Sequence, residues 1–274
     1  MSINIPITPL SGKTILVTRA VGQSSELSHG LTNLGARVIE LPALEIGPPS
    51  SWRSLDQSIL ELSTFDWLVF TSTNGVKYFF ERMALQYKNQ QALIGRAINR
   101  TKIAAVGEKT AQSLKMHQIE PDFIPPDFIA DSLVNNFPEN LAGKKILFPR
   151  VESGGRDILV KELTQKGAQV VEVPAYESLC PQSIPTTAQQ ALINHSVDVI
   201  TFASSKTVKF FCVLLENNLP QKAEQYLNKS AIASIGPETS KTCIDLLGRV
   251  DITAQKHTID GLIKAIVEWS KSLN

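Results

Sequence analysis

The feature that most constrains the fold of this chain is an internal repeat. Four short segments of the first half return in the same order in the second half, at offsets of 131, 132, 132 and 129 residues. The pairs are 12–19 with 143–150, 35–43 with 167–175, 70–77 with 202–209, and 104–110 with 233–239. This period is far too long for a stacked solenoid. We therefore expect two lobes of similar construction with a cleft between them.

Size, charge and cysteine usage narrow the class of protein. A chain of 274 residues that is 43% hydrophobic can form about two domains with separate cores. A net charge of +1 gives no general attraction for nucleic acid or an anionic membrane. The three cysteines lack zinc-ligand or disulfide spacing, and neither a signal peptide nor a membrane-length apolar run is evident. We expect a cytoplasmic monomer without a metal site.

Short apolar runs alternate with amphipathic stretches in both halves. The runs predict strands at 14–18, 38–41, 67–71, 102–106, 145–148, 170–173, 199–202 and 231–235. Helices are expected at 76–83, 110–115, 208–216 and 239–247. This alternation predicts an α/β fold, with parallel sheets flanked by helices on both faces.

Four polar turns follow predicted strands and open predicted helices. They are Ser72-Thr73-Asn74-Gly75, Gly107-Glu108-Lys109-Thr110, Ser204-Ser205-Lys206-Thr207 and Gly236-Pro237-Glu238-Thr239. Ligands of parallel sheets bind beyond the carboxyl ends of the strands, and helix amino ends offer free N–H groups to carboxylates or phosphates. Simple helix capping is the alternative role of such residues. Matched pairs of turns in two lobes predict an anion-binding cleft.

The usual cofactor and hydrolase motifs are absent from the sequence. There is no G-x-x-x-x-G-K-[ST], no G-x-G-x-x-G after the first strand, and no G-x-S-x-G. A nucleotide-dependent transferase is therefore disfavoured, and we expect chemistry without a cofactor. A two-lobed protein that binds an anionic ligand without catalysis remains an alternative, because fold does not determine function.

Seven segments, taken in order, resemble a known family. They are Leu16 to Arg19, Phe70 to Val76, Ala105 to Gly107 with Thr110, Phe148 to Arg150 with Gly155-Arg156, Val173 to Glu177, Thr201 to Ser205, and Ile235 to Thr239. Each segment is short, but the ordered set, which covers roughly Leu10 to Glu268, resembles the uroporphyrinogen-III synthase family. Ala203 and Lys206 depart from the residues common in the family, in which a hydroxyl residue and a small residue are usual at these positions.

The resemblance implies a discontinuous domain layout. Members of the family have two α/β lobes joined by two extended strands, which would be 41–47 and 173–180 here. Lobe one would then be 1–43 with 177–274, and lobe two would be 44–176. A tandem arrangement split near Leu141 is simpler. The discontinuous layout is favoured because both crossings carry the same strand-Pro-Ala pattern.

The resemblance also implies a reaction. Uroporphyrinogen-III synthases are lyases of tetrapyrrole biosynthesis that cyclise hydroxymethylbilane, a linear tetrapyrrole with eight carboxylates. The reaction loses water and inverts ring D through a spiro intermediate, which is largely a positioning problem. Family reasoning indicates Tyr176 as a proton donor to the departing hydroxyl, because a phenol keeps its proton at neutral pH. Packing between the lobes is the alternative role for this ring.

Further substrate contacts are expected from residues near strand ends. Arg19, Arg150 and Arg156 would bind propionate or acetate groups bidentately, and surface ion pairing is their alternative role. Ser153 and Lys206 are further candidates, beside the residues of the four polar turns. With Tyr176, these residues form the predicted site for a small polycarboxylate substrate.

Overall fold

A computed structural model of the chain describes residues 8–20, 25–127, 130–154 and 157–273. The chain forms two compact units, the first comprising Met1–Glu45 with Leu179–Asn274 and the second Ile46–Ser178. The strands are β1 (Thr14–Val17), β2 (Arg37–Glu40), β3 (Glu45–Gly47), β4 (Trp67–Phe70), β5 (Lys102–Ala105), β6 (Lys145–Val151), β7 (Gln169–Leu179), β8 (Val199–Phe202), β9 (Ala231–Ser234) and β10 (Ile252–Thr253).

Helices follow most of the strands. They are α1 (Ser25–Asn33), α2 (Arg53–Leu60), α3 (Thr73–Gln86), α4 (Gln91–Ile98), α5 (Glu108–Met116), α6 (Ala130–Asn135), α7 (Asp157–Gln165), α8 (Thr186–Ile193), α9 (Ser205–Asn218), α10 (Ala223–Leu227), α11 (Pro237–Leu247) and α12 (Ile259–Ser272). A short 3-10 turn spans Leu62–Thr64. None of the helices in the described ranges has the length and apolar character needed to cross a bilayer.

The sheet of the first unit mixes strands from both ends of the chain. Its order is β10-β9-β8-β1-β2, and every neighbouring pair is parallel. One apolar cluster covers one face with residues of α8, α9, α10 and α11, and a second covers the other face with residues of α1 and α12. Because both faces are covered, β1 and β8 are almost wholly apolar and buried.

The sheet of the second unit has the order β3-β7-β6-β4-β5. The pairs β7–β6, β6–β4 and β4–β5 are parallel. Residues of α2, α3, α4 and α5 pack on one face, and residues of α6 and α7 pack on the other. The α/β fold class with parallel sheets flanked by helices is therefore confirmed.

The internal repeat persists in how the strands are anchored. The carboxylate of Asp66 accepts the backbone N–H of Lys145 at 2.8 Å, where β6 begins. Its counterpart Asp198 accepts the N–H of Thr14 at 2.7 Å, where β1 begins. In both units, an aspartate that precedes one strand thus fixes the start of the strand beside it in the sheet. Asp66 precedes β4 and fixes β6, and Asp198 precedes β8 and fixes β1.

The repeat also persists in the core. Phe70 packs edge-to-face on Phe79 with ring centroids 5.4 Å apart, and Phe202 packs on Phe211 at 5.2 Å. The interplanar angle is 76° in both pairs. All four rings are fully buried, so each contributes roughly 1.5–3 kcal/mol through removal of apolar surface from water.

All eight strands predicted from apolar runs are present. Six match within one residue at each end, while β6 and β7 extend further than predicted. The helices predicted from residues 76, 110, 208 and 239 begin two or three residues earlier, because the polar turns form their first turns. The predicted strand 170–173 and the predicted crossing 173–180 are one strand of 11 residues, β7.

Candidate functional site

The turn after β4 opens α3 with a capping serine. Ser72 is extended, and its hydroxyl accepts the N–H of Gly75 at 3.0 Å. A side chain at Gly75 would place its Cβ 3.3 Å from the carbonyl oxygen of Pro149, which explains the glycine. Thr73 is exposed and Asn74 is partly exposed, so this turn presents polar groups at the carboxyl end of β4.

The turn after β8 repeats this geometry in the first unit. The hydroxyl of Ser204 accepts the N–H of Thr207 at 3.2 Å and caps α9. Ser205 donates to the carbonyl oxygen of Glu238 at 3.0 Å, which joins this turn to the one that opens α11. The ammonium of Lys206 lies 5.7 Å from the ring centroid of Phe210. Two of the predicted turns therefore lie side by side in the first unit.

The two glycine turns differ in backbone conformation. Gly107, before α5, has φ 93°, a left-handed conformation that strongly favours glycine. Gly236 is extended, and a Cβ there would lie 2.9 Å from the ring of His257. Pro237 then occupies the first turn of α11, where a missing N–H is tolerated.

Two predicted site residues of these turns point into the core. Thr110 and Thr239 are each only 4% exposed, so their side chains pack within their units. Their helices therefore offer the backbone N–H groups of the first turn, and not these hydroxyls, to a ligand. The sequence pattern located the turns but did not give the direction of each side chain.

Tyr176 lies on β7 in the second unit, next to the capped end of α3. A hydrogen bond of 3.0 Å joins its hydroxyl to the hydroxyl of Ser72, and only 9% of the residue is exposed. Burial raises the pKa of Tyr176 above 10 and outweighs the Ser72 hydrogen bond and the charge of Arg150, both of which lower it. The phenol is therefore protonated at neutral pH.

The predicted arginines have different surroundings. Arg19, after β1, is partly buried; burial lowers its pKa below the ordinary value for arginine, while the nearby charge of Glu26 opposes that shift. Arg150 near the end of β6 forms an ion pair with Glu172, and its guanidinium lies 5.8 Å from the ring centroid of Phe148. Arg156 lies outside the described residues.

Ser153 binds a buried carboxylate beside Tyr176. Its hydroxyl donates to Glu177, which is 8% exposed and also accepts the N–H of Ser178 at 2.5 Å. A cavity of about 300 Å³ lies between the carboxyl end of β6 and the middle of β7. It is lined by Arg150, Val151, Glu152, Gly154, Glu172, Val173 and Pro174.

In the second unit, the structure brings Ser72, Gly75 and Tyr176 together at the carboxyl end of the sheet. Sequence reasoning missed Tyr78, whose ring stacks on Tyr176, and His257, which lies against Gly236. The sequence could have indicated Tyr78 as a site residue, because it is an aromatic residue only six positions after Ser72, the serine that caps α3. Within the described ranges, no group of three or more His, Cys, Asp or Glu side chains could hold a metal ion.

Comparison with known proteins identifies the family. A sequence model described as uroporphyrinogen-III synthase HemD matches residues 25–264, which is most of the chain. The chain belongs to the uroporphyrinogen-III synthase family.

Relatives and solved structures agree with the family match. The chain is 50% identical over 263 residues to uroporphyrinogen-III synthase of Synechococcus elongatus, covering 96% of this chain and 97% of that protein. It is 28% identical over 262 residues to the enzyme of Chlorobaculum parvum, covering 94% of this chain and 100% of that protein. The expectation of a uroporphyrinogen-III synthase, a lyase of tetrapyrrole biosynthesis, is confirmed.

Two crystal structures share the fold. One is a variant of uroporphyrinogen III synthase from Thermus thermophilus and the other is the enzyme from Helicobacter pylori, each with a TM-score of 0.57 and 16% identity. Each comparison covers 96% of this chain and 100% of the other. At this identity the likeness concerns the fold alone.

Proposed function

We propose that this uroporphyrinogen-III synthase converts hydroxymethylbilane to uroporphyrinogen III, with Tyr176 as the proton donor to the departing hydroxyl. One observation carries the proposal. The Tyr176 hydroxyl lies 3.0 Å from Ser72, the capping residue of α3, in the group of polar side chains at the carboxyl end of the second sheet. Sites of parallel α/β sheets form at that end.

The first step is loss of water. The O–H proton of Tyr176 moves to the oxygen of the substrate's hydroxymethyl group, the bond between that oxygen and the hydroxymethyl carbon breaks, and water leaves. The bilane is left as a conjugated cation that its own pyrroles stabilise. Attack by the substituted carbon of ring D on this cation forms the spiro intermediate, and rearrangement and closure release a proton that restores the Tyr176 phenol.

The environment of Tyr176 suits this role. Because burial raises its pKa, the group holds its proton at neutral pH. The positive end of the α3 dipole stabilises negative charge nearby, including the phenolate that forms when the proton leaves. The hydrogen bond to Ser72 fixes the direction of the hydroxyl, so that less motion is needed to reach the transition state.

Carboxylates of the substrate would bind at the remaining polar turns. The first turns of α5, α9 and α11 each carry N–H groups without an intrahelical acceptor. Lys206 adds a side-chain donor, while Arg19 and Arg150 add positive charge near the ends of β1 and β6. This distribution supports binding of several carboxylates without a large net charge.

The proposal includes the cellular setting. The enzyme would act in the cytoplasm as a monomer and without a cofactor, on a small-molecule tetrapyrrole. Light scattering of the purified protein during size-exclusion chromatography would give a mass near 30.0 kDa for a monomer. A mass of twice that value would contradict this part of the proposal.

The activity is tested with freshly made hydroxymethylbilane. The products are oxidised to porphyrins and the type I and type III isomers are separated by chromatography. The proposal predicts type III product with the protein and type I product from the buffer control. Type I product alone in the presence of folded protein would contradict it.

A further inference from the structure

We propose that Tyr78 is a positioning residue that holds the ring of Tyr176 so that its hydroxyl stays at the amino end of α3. The inference rests on the proposed function, because it assumes that Tyr176 acts in catalysis. It assigns a role to a residue that lacks a place in the mechanism above. The role is indirect, since Tyr78 would act through Tyr176.

The two rings form a stack. Their centroids are 6.2 Å apart and their planes differ by 19°, a geometry within the range of favourable offset stacking. Tyr176 therefore has two fixed points: its hydroxyl is bonded to Ser72, and its ring rests on Tyr78. Both partners belong to α3 and its cap, so a single helix holds both ends of the phenol.

Tyr78 is itself held in place. Its hydroxyl donates to the carbonyl oxygen of Ile46 on β3 at 2.9 Å. Burial raises the pKa of Tyr78, with a smaller effect from Glu81, so this hydroxyl remains a donor. Strand β3 pairs with β7, which carries Tyr176. Each of the three elements thus contacts the other two: β7 contacts α3 through the stacked tyrosines, α3 contacts β3 through the Tyr78 hydroxyl, and β3 pairs with β7.

Tyr78 also stacks on a second anchored ring. Trp52 stacks on Tyr78 with centroids 6.2 Å apart and an interplanar angle of 28°. The guanidinium of Arg82 lies 5.1 Å from the Trp52 ring centroid and forms a two-point ion pair with Asp56, including a 2.6 Å contact. Trp52, the residue before α2, and Asp56 on α2 are four positions apart, as are Tyr78 and Arg82 on α3. Helices α2 and α3 pack together, and these contacts join them.

The contacts from Trp52 through Tyr78 to Tyr176 position a catalytic group, which is a different role from packing in the core. A core residue replaced by another apolar residue of similar volume keeps most of its packing. A positioning ring is different, because a small displacement of a catalytic group is enough to slow a reaction about a hundredfold. Loss of the flat ring at position 78 should therefore lower kcat strongly, while the free energy of unfolding and KM change little.

The test uses three variants of the full-length enzyme. Tyr78→Met keeps apolar bulk but removes the ring, and Tyr78→Phe keeps the ring but removes the bond to Ile46. Tyr87→Phe is the matched control, because its hydroxyl also faces a backbone carbonyl, that of Ile59 at 3.4 Å, but at the far end of α3. We expect kcat to fall about tenfold or more in Tyr78→Met and less than about threefold in Tyr78→Phe and in the control, with KM unchanged.

A double-mutant cycle separates this inference from the proposed function. If Tyr78 acts through Tyr176, Tyr78→Met has no further effect on kcat in a Tyr176→Phe background. Equal effects of Tyr78→Met in both backgrounds would overturn the inference and leave the proposed function standing. Wild-type kcat in Tyr176→Phe alone would overturn the proposed donor role of Tyr176, whereas absence of type III product with the wild-type protein would overturn the proposed activity.

A spectroscopic measurement covers the case in which Tyr78→Met folds poorly. The enzyme is labelled with 13C at tyrosine Cζ, and the Tyr176 signal is assigned with Tyr176→Phe. In Tyr78→Phe, which keeps the stack, the Tyr176 signal should titrate as in wild type. In Trp52→Leu, which removes the second ring that stacks on Tyr78, the Tyr176 signal should broaden or shift. An unchanged signal in Trp52→Leu would contradict the inference.

Discussion

The repeat supplies a matched pair of serines for measuring the bond between Ser72 and Tyr176. Ser72 and Ser204 cap equivalent helices with similar extended backbones, and each accepts one N–H, at 3.0 and 3.2 Å. Only Ser72 also bonds a tyrosine hydroxyl. Replacement of each serine by alanine therefore removes the same cap. Ser204→Ala also removes a long 3.3 Å bond to the Thr207 hydroxyl, which keeps its 2.7 Å bond to the Ser204 carbonyl, whereas Ser72→Ala leaves the buried Tyr176 hydroxyl without this partner.

The expected magnitudes follow from these contacts. Loss of a serine cap costs about 1 kcal/mol. Loss of a hydrogen bond to a nearly buried hydroxyl costs about 1 kcal/mol more. We expect the free energy of unfolding to fall by about 2 kcal/mol in Ser72→Ala and by about 1 kcal/mol in Ser204→Ala. In a Tyr176→Phe background, Ser72→Ala should cost only the value of the cap.

Urea unfolding with unit-specific fluorescence is the assay. The chain has three tryptophans, of which Trp52 and Trp67 lie in the second unit and Trp269 lies in the first. Trp269→Phe thus leaves a signal from the second unit alone, which reports Ser72→Ala. The difference between the signals with and without Trp269 follows the first unit, which reports Ser204→Ala, if the two units do not unfold together. Equal losses in the two serine variants would refute the reasoning, because Ser72 would then contribute nothing to holding Tyr176.

The other predictions concern charge, backbone and thiols. Hydrogen bonds from Lys102 and Lys144 lower the pKa of Glu139 to about 2 from 4.5, so its stabilising effect is present above pH 4.5 and is lost as the pH falls toward 2. After allowance for exposure of the lysines, Glu139→Gln should destabilise the protein by about 1 kcal/mol at pH 7 in urea unfolding. An undiminished difference between the two proteins at pH 2 would contradict this. Gly107→Ala should cost roughly 1–3 kcal/mol because φ is 93°, whereas helical Gly95→Ala should stabilise by up to about 1 kcal/mol, and equal changes in melting would refute the backbone argument. Burial raises the pKa of Cys212 to about 11, so its reaction with a thiol reagent at pH 8 should be slow until urea unfolds the protein; a fast reaction of the folded protein would contradict this.

The order of strands and turns was predictable because it depends on local composition. Apolar runs such as that ending at Phe70 form buried strands, and the polar residues beginning at Ser72 mark the point where each strand ends. The continuity of β7 was not evident, because Pro174 within the run indicates a break. In the structure Pro174 pairs with Arg150 and Tyr176 pairs with Val151, so the register between β6 and β7 shifts by one residue beside the proline.

Side-chain direction in the site could not be predicted from the pattern. Thr110 and Thr239 occupy turns of the expected kind, yet both hydroxyls are buried. The stack of Tyr78 on Tyr176 depends on how α3 packs against β7, and these residues are far apart in sequence. Such contacts arise from tertiary packing and leave no local sequence pattern. Tyr176 itself was identified as a candidate proton donor only through the family resemblance.

The most direct test of the account is the turnover of Tyr176→Phe on hydroxymethylbilane. This change removes one oxygen and keeps the ring stacked on Tyr78. If the phenol donates the proton to the departing hydroxyl, kcat should fall about a hundredfold or more with little change in KM, since general acid catalysis contributes roughly 10²–10⁴-fold. A kcat within about threefold of wild type, with type III product still formed, would contradict the account, because an effect that small lies well below the acid-catalysis range.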